Sequence, residues 1–134
     1  MPQEFTIGII IFNGKDFLLL RHIPGHWGFL KDKSNLTESK EDTARRITLE
    51  HLNQKGLFLV KDFSTKESYF YMKEGKIIHK EVDYILAESS DKNISFSAKF
   101  TDAKWLPFEQ AMQLVTFKET KKTLIEANEF LKFH

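Results

Sequence analysis

The stretch GFLKDKSNLTESKEDTARRITLEHLN, residues 28–53, decides the fold of this chain. Its second half, residues 41–52, is predicted to be a helix, because Ser39 is suited to the N-cap and two acidic residues follow in the first turn. Positions 46, 47, 50 and 51 share one face of this helix, since residues three and four apart are neighbours. That face carries Glu50 and His51, which are candidate ligands for a divalent cation.

The bulk properties describe one ordinary domain. The chain has 134 residues, which is enough for a single compact core, so we predict one domain over residues 1–134. The net charge of +1 excludes an acidic tail and a strongly basic nucleic-acid-binding protein. There is no cysteine, which excludes disulfides, thiolate metal sites and a cysteine nucleophile.

The apolar run at residues 7–12 is too short to span a membrane, and no charged n-region of a signal peptide precedes it. We interpret the run as a β-strand. We therefore expect a cytoplasmic protein without a membrane partner.

The remaining pattern alternates strands and helices. Strands are predicted at residues 6–12, 17–21, 57–63, 67–72, 77–88 and 103–106, with a hairpin turn at Asn13-Gly14 and another hairpin loop at residues 73–76. Residues 26–39 are predicted to be irregular, and helices are predicted at residues 108–115 and 118–133. This order predicts a mixed α/β sandwich.

The opening stretch resembles a Nudix box, whose pattern is Gly, five residues, Glu, seven residues, then Arg-Glu-apolar-x-Glu-Glu-x-Gly-apolar. In order, the pattern positions hold Asp32, Glu38, Arg46, Ile47, Glu50, His51 and Asn53. The resemblance implies an α/β/α sandwich with a mixed central sheet. The box is degenerate, because Ile47 and His51 stand at two of the glutamate positions.

Further blocks resemble the asymmetrical diadenosine tetraphosphate hydrolases within that superfamily. These blocks are the apolar strand pair at residues 8–12 and 17–20, His26-Trp27-Gly28-Phe29-Leu30-Lys31, Lys104-Trp105-Leu106 and the segment at residues 113–119. The resemblance implies that Tyr69 and Phe117 flank a nucleobase, that Lys31 and Lys80 contact phosphates, and that His26 lies nearby. Base stacking and lysine–phosphate contact are both physically suited to these roles.

The departures from the family fall on its metal site. Glu50 is the one carboxylate on the helix face, Asp32 replaces a metal-binding glycine, and Ala98-Lys99-Phe100 stands where the family often has Glu and His. Glu50 is therefore a weak metal ligand, alone or with Glu38, and a cluster of two or three metals is not expected. Mg²⁺ or Mn²⁺ is expected only if the protein is an active enzyme. Acids that are candidates to replace the lost glutamates are Glu67, Glu81, Asp83 and Asp102.

Each candidate also has a structural interpretation. Glu38 and Arg46 are expected to brace the loop before the helix. His51 is interpreted as an exposed helix residue, with a role as ligand or general base as the alternative. Tyr69 and Phe117 are either base platforms or core residues. If Lys31, Lys80 and Lys99 converge, the cleft would be net positive, which suggests direct binding of polyphosphate.

We therefore predict a Nudix-fold protein that binds a nucleotide or dinucleoside polyphosphate and hydrolyses it weakly or not at all. One alternative is an active metal-dependent hydrolase that cuts diadenosine tetraphosphate to ATP and AMP, with Glu50 and His51 as catalytic residues. A second alternative is a recognition module for RNA or for a protein partner, which the sequence does not identify.

Overall fold

The computed structural model of the chain describes residues 3–35 and 37–133. Within them, eight strands form one mixed sheet and three helices pack against it. The strands are β1 (Gln3–Asn13), β2 (Asp16–His22), β3 (Trp27–Gly28), β4 (Leu30–Lys33), β5 (Phe58–Leu59), β6 (Thr65–Lys73), β7 (Lys76–Glu88) and β8 (Phe100–Pro107). The helices are α1 (Lys40–Leu52), α2 (Phe108–Leu114) and α3 (Lys118–Phe133). None of the described helices is long and apolar enough to cross a membrane.

Strand β1 lies at the centre of the sheet. It pairs in parallel with β7 along its length, and its two halves pair antiparallel with β4 and β2. Strands β5 and β6 add to β7, and β8 adds to β2, all antiparallel. The predicted mixed sheet is confirmed.

Alternation along β1 divides the core into two layers. Ile9 packs on the α1 side with Ile47, whereas Ile10 packs on the other side with Leu124 of α3. All four side chains are at most 1% exposed. Because successive strand residues point to opposite faces, the isoleucine run supplies both layers, and the α/β/α sandwich is confirmed.

The two ends of α1 are defined by local chemistry. Ser39 caps the helix, since its hydroxyl oxygen accepts a hydrogen bond from the Asp42 amide at 3.0 Å. Asn53 closes the helix in the left-handed conformation with a φ of 53°. The predicted N-cap is confirmed, and on the face carrying residues 46, 47, 50 and 51 the side chains of Ile47 and His51 are buried while Glu50 is exposed.

Two sequence predictions were wrong. Residues 26–39 are not wholly irregular, because they contain β3 and β4. Strand β4 has the sequence LKDK, which lacks apolar alternation, and it forms by pairing with β1. The strand predicted at residues 57–63 is reduced to β5, and a turn follows in which Asp62 has a φ of 69°.

Candidate functional site

A cavity of about 710 Å³ opens between the sheet, the start of α3 and the loop after β2. The structure brings five residues of the implied substrate-binding set into its lining: His26, Lys31, Tyr69, Lys80 and Phe117. They come from five different segments, so the fold, and not proximity in sequence, collects them. The set remains a prediction as a binding site.

The floor of the cavity is a row of side chains across three neighbouring strands. Register places Tyr69 of β6 opposite Lys80 of β7, which in turn pairs with Glu4 of β1. The Lys80 ammonium lies 6.0 Å from the centre of the Tyr69 ring, at the limit of a cation–π contact. The Tyr71 hydroxyl donates to Glu4 Oε2 at 2.6 Å, and this hydrogen bond lowers the pKa of Glu4. Tyr69 is therefore a half-buried cavity residue with one face beside a cation.

A lysine and a glutamate lie deeper in the cavity. Burial lowers the pKa of Lys31, the charge of Lys80 lowers it further, and Glu67 opposes the shift. Glu67 is 5% exposed and accepts hydrogen bonds from Thr123 Oγ1 at 2.8 Å and from the Tyr84 hydroxyl at 3.2 Å. Among the described residues, no carboxylate lies within ion-pair distance of Lys31 or Lys80.

Two stacked histidines form one wall. The His22 and His26 rings lie 4.4 Å apart and 7° from parallel, and the Phe117 ring lies 5.0 Å from His26. Burial lowers the pKa of His22 to about 4, and it also lowers the pKa of His26. Both rings are therefore uncharged at neutral pH, and His22 Nε2–H donates to the Phe29 carbonyl at 3.1 Å. Phe117 is 47% exposed, so the alternative of a core residue is wrong for it.

The condition stated for a net positive cleft, convergence of Lys31, Lys80 and Lys99, is not met. Among the described residues, three lysines (Lys31, Lys33 and Lys80) line the cavity together with Glu4, Glu67 and Glu119, while Asp32 borders it with its carboxylate bonded to His51. Lys99, which was expected to contribute, contacts Asp32 beside the cavity instead. The cavity nevertheless separates its charges, because Glu4 and Glu67 accept hydrogen bonds from hydroxyl groups, while Lys31 and Lys80 form no ion pair within residues 3–35 and 37–133.

Arg46 links the box residues of the loop and of α1 by contacting two glutamates. Arg46 Nε donates to Glu38 Oε1 at 2.9 Å, and its terminal nitrogen lies 3.3 Å from Glu50 Oε1. The Glu38 contact raises the pKa of Arg46 more than any other interaction does. Arg46 and Glu38, which were expected to brace the loop before the helix, thus form an ion pair. The same guanidinium also contacts Glu50.

The interpretation of His51 as an exposed residue is wrong. The residue is 7% exposed, because β4 and the loop before β8 cover it. His51 Nε2–H donates to Asp32 Oδ2 at 2.8 Å, and Nδ1 lies 2.9 Å from the Ser97 hydroxyl, which can donate to it. Burial by itself would raise the pKa of Asp32, but hydrogen bonds from His51 and the Lys33 amide, together with Lys99, lower it overall.

The side chains of Asp32, Glu50 and His51 are poorly suited to bind a hard cation such as Mg²⁺. One ligand atom each from Asp32, Glu50 and His51 lies within 4.8 Å of the others, so a donor set exists. Mg²⁺ prefers oxygen ligands and near-octahedral geometry, whereas this set contains one imidazole. Both carboxylates also contact a cation, because Lys99 lies 3.4 Å from Asp32 and Arg46 lies 3.3 Å from Glu50. The set therefore does not fit a cluster of Mg²⁺ ions.

The other acids proposed as replacements do not join this group. Glu67 lines the cavity, whereas Glu81 and Asp83 form ion pairs with Lys66 and Lys40. Sequence reasoning missed His22, and also missed Ser97 as a partner of His51. A second histidine four residues before His26 was the available signal for the stacked pair, whereas Ser97 carries no distinguishing pattern.

The chain has clear relatives among known proteins. The chain is 34% identical to the Bis(5'-nucleosyl)-tetraphosphatase [asymmetrical] of Mus musculus over 122 residues, which cover 87% of this chain and 80% of the relative. It is 30% identical to the protein of the same name from Sus scrofa, with 92% of each chain covered. The crystal structure of a C. elegans Ap4A hydrolase binary complex matches with a TM-score of 0.80 and 28% identity over 98% of this chain and 99% of that one.

More distant structures support the fold alone. The E. coli dihydroneopterin triphosphate pyrophosphohydrolase matches with a TM-score of 0.70 at 15% identity over 92% of this chain and 95% of that one.

The family model of the NUDIX domain matches residues 2–127 of this chain. Together with the box on α1 and the sandwich around it, this match shows that the chain belongs to the Nudix domain family.

Proposed function

We propose that this protein binds a nucleotide or a dinucleoside polyphosphate in its cavity and hydrolyses it slowly or not at all. One observation carries the proposal. The cavity of about 710 Å³ is lined by Lys31 and Lys80, which form no ion pair with any described carboxylate, and also by the aromatic rings of Tyr69 and Phe117. That is an arrangement of cations and stacking surfaces which matches a base linked to a chain of phosphates.

The size and walls of the cavity suit a nucleotide. Pockets for small molecules commonly have volumes of about 300–1,000 Å³ and aromatic linings with a few polar groups. Tyr69 and Phe117 both contribute aromatic rings to the lining, and the uncharged His26 adds a third ring beside Phe117. Stacking of a base on such rings contributes about 1–3 kcal/mol per base in nucleic-acid complexes.

The charge state of the lysines favours an anionic ligand. Burial beside Lys80 disfavours the ammonium form of Lys31, since no carboxylate pairs with it. A phosphate oxygen would supply the missing counter-charge and form a charge-assisted hydrogen bond with each ammonium. Binding of polyphosphate would thus relieve a repulsion that the free protein carries.

Slow hydrolysis follows from the environment of the possible bases. Activation of water needs a group that can accept a proton at the reacting phosphate. Glu50 is engaged by Arg46, and both ring nitrogens of His51 are engaged by Asp32 and Ser97. His51 would have to give up its contact with Ser97 before Nδ1 could accept a proton from water, and Glu50 would have to act beside the Arg46 guanidinium.

The test is a calorimetric titration with diadenosine tetraphosphate, first with a chelator and then with Mg²⁺, followed by analysis of the mixture for ATP and AMP. Binding in chelator with intact ligand is expected. The Lys80→Met variant should bind about tenfold or more weakly, because a hydrogen bond to a charged group contributes about 1.5–3 kcal/mol. Lys66→Met is the matched control, since this exposed lysine of β6 pairs with Glu81 away from the cavity.

The principal alternative is an active hydrolase, and the proximity of Asp32, Glu50 and His51 is the observation in its favour. It predicts formation of ATP and AMP that depends on Mg²⁺ or Mn²⁺ and is lost in Glu50→Gln. That result would refute slow hydrolysis. Absence of nucleotide binding would refute the proposal as a whole and favour an RNA or protein partner, and RNA binding would be recognised by its strong dependence on salt.

A further inference from the structure

Lys99 lies in the segment between β7 and β8, and its ammonium nitrogen lies 3.4 Å from Asp32 Oδ2. We propose that this ammonium takes the place of a divalent metal ion at the box. Lys99 would be the built-in counter-charge of Asp32, so that the box does not take up a metal. The proposal concerns the box alone and holds whichever nucleotide the cavity binds.

The first support is the balance of charge around the box. Its carboxylates are Asp32, Glu38 and Glu50, and each of them lies within 4.0 Å of a lysine or an arginine. Arg46 contacts Glu38 and Glu50, and Lys99 contacts Asp32. A divalent ion arriving at Asp32 would meet the charge of Lys99 about 4 Å away and would have to displace it. A metal site instead needs carboxylates whose negative charge is not already neutralised.

The second support is that the position of Lys99 is fixed by a chain of hydrogen bonds. The Ser97 amide donates to the His51 carbonyl at 2.8 Å, and the Ser97 hydroxyl lies 2.9 Å from His51 Nδ1. The Lys99 amide lies 3.5 Å from the same hydroxyl. These contacts tie the segment carrying Lys99 to the end of α1, while His51 and the Lys33 amide orient the two oxygens of Asp32.

The experiment measures binding of Mn²⁺ to the full chain without nucleotide, by electron paramagnetic resonance of the free ion and by calorimetry. Wild type and Lys99→Arg, which keeps the charge, are expected to bind Mn²⁺ equally weakly. Lys99→Met should bind about thirtyfold more tightly, the effect of removing a unit charge about 4 Å from a divalent ion in a water-like dielectric. Lys99→Glu should bind more tightly still, because it adds a carboxylate ligand.

Lys92→Met is the matched control. Lys92 is another lysine of the same segment, and it pairs with Asp16 at 2.5 Å away from the box. This variant should bind Mn²⁺ as wild type does. Because Lys99 is 59% exposed in its side chain, its replacement should leave the thermal unfolding temperature in the absence of metal close to that of wild type.

Two results would overturn the proposal. One is Mn²⁺ binding by wild type as tight as that of Lys99→Glu, which would mean that the lysine does not exclude the ion. The other is equal Mn²⁺ binding by wild type and Lys99→Met in proteins with the same unfolding temperature. Neither result bears on nucleotide affinity, so failure of this proposal is distinguishable from failure of the proposed function.

Discussion

Replacement of Lys31 by methionine should separate ligand binding from stability. The side chain lies in the cavity on β4 beside Lys80, and burial is the main cause that lowers its pKa from the usual 10.5. Methionine keeps an unbranched chain of similar length but removes the charge. We expect Lys31→Met to bind polyphosphates more weakly than wild type and yet to unfold at a higher urea concentration.

The loss of affinity follows from a single contact. A hydrogen bond to a charged group contributes about 1.5–3 kcal/mol, which corresponds to a loss of about tenfold to a hundredfold at 1.4 kcal/mol per decade. The gain in stability has the opposite origin. A lysine whose pKa is lowered in the folded state destabilises that state in full below the folded pKa, and the destabilisation is lost as the pH rises from the folded pKa to the unfolded pKa. Methionine removes this term at neutral pH.

The assay compares three ligands by calorimetry: diadenosine tetraphosphate, inorganic tripolyphosphate and adenosine. Lys31→Met should bind diadenosine tetraphosphate and tripolyphosphate more weakly than wild type and should bind adenosine with unchanged affinity. The control Lys66→Met should bind all three ligands as wild type does. The affinity of wild type for tripolyphosphate should also fall as the pH approaches the lowered pKa of Lys31. Equal affinity of Lys31→Met and wild type for tripolyphosphate, or an equal loss for adenosine, would refute the reasoning.

Three other perturbations test the cavity and the core. Phe117→Ala should weaken the binding of adenine nucleotides by about 1–3 kcal/mol and leave the affinity for tripolyphosphate unchanged, which the same titrations would measure. Gly8→Ala should destabilise the fold by about 1–3 kcal/mol in urea unfolding, because a Cβ atom there would lie 2.3 Å from the ring of Tyr84. The pKa of His22 is lowered to about 4, so the free energy of unfolding should fall by about 2–3 kcal/mol as the pH falls from 7 to 4, and His22→Gln should abolish much of this dependence.

The elements that follow periodic patterns were predictable from the sequence. The isoleucine run of β1, the capped helix α1 and the final helix α3 are all present close to their expected bounds. Strand β4 was not predictable, because LKDK has no apolar alternation and pairs only where β1 offers an open edge. A periodic apolar pattern identifies an element with one apolar face that packs in the core. A strand that forms because a neighbouring strand offers hydrogen-bonding groups has no such pattern in its own sequence.

The site shows the same division. The resemblance to known blocks implied five residues that the fold brings to one cavity, although their roles remain predictions. The environment of His51 was not predictable, because its burial depends on Asp32 and Ser97, which lie 19 and 46 residues away in sequence. Helical position fixes the face on which a side chain lies, but the segment that covers that face is determined by the tertiary fold.

The distribution of charge links the two halves of the site. At the box, Arg46 and Lys99 together contact the carboxylates of Asp32, Glu38 and Glu50, so each carboxylate has a cationic partner and one negative charge is left in excess. In the cavity, Lys31 and Lys80 lie where no carboxylate of the described chain forms an ion pair with them. Burial of a cation without a carboxylate partner destabilises the fold, and the lowered pKa of Lys31 has this cause. This asymmetry underlies both proposals, anion binding in the cavity and exclusion of metal at the box, which the titrations in chelator and with Mn²⁺ are designed to test.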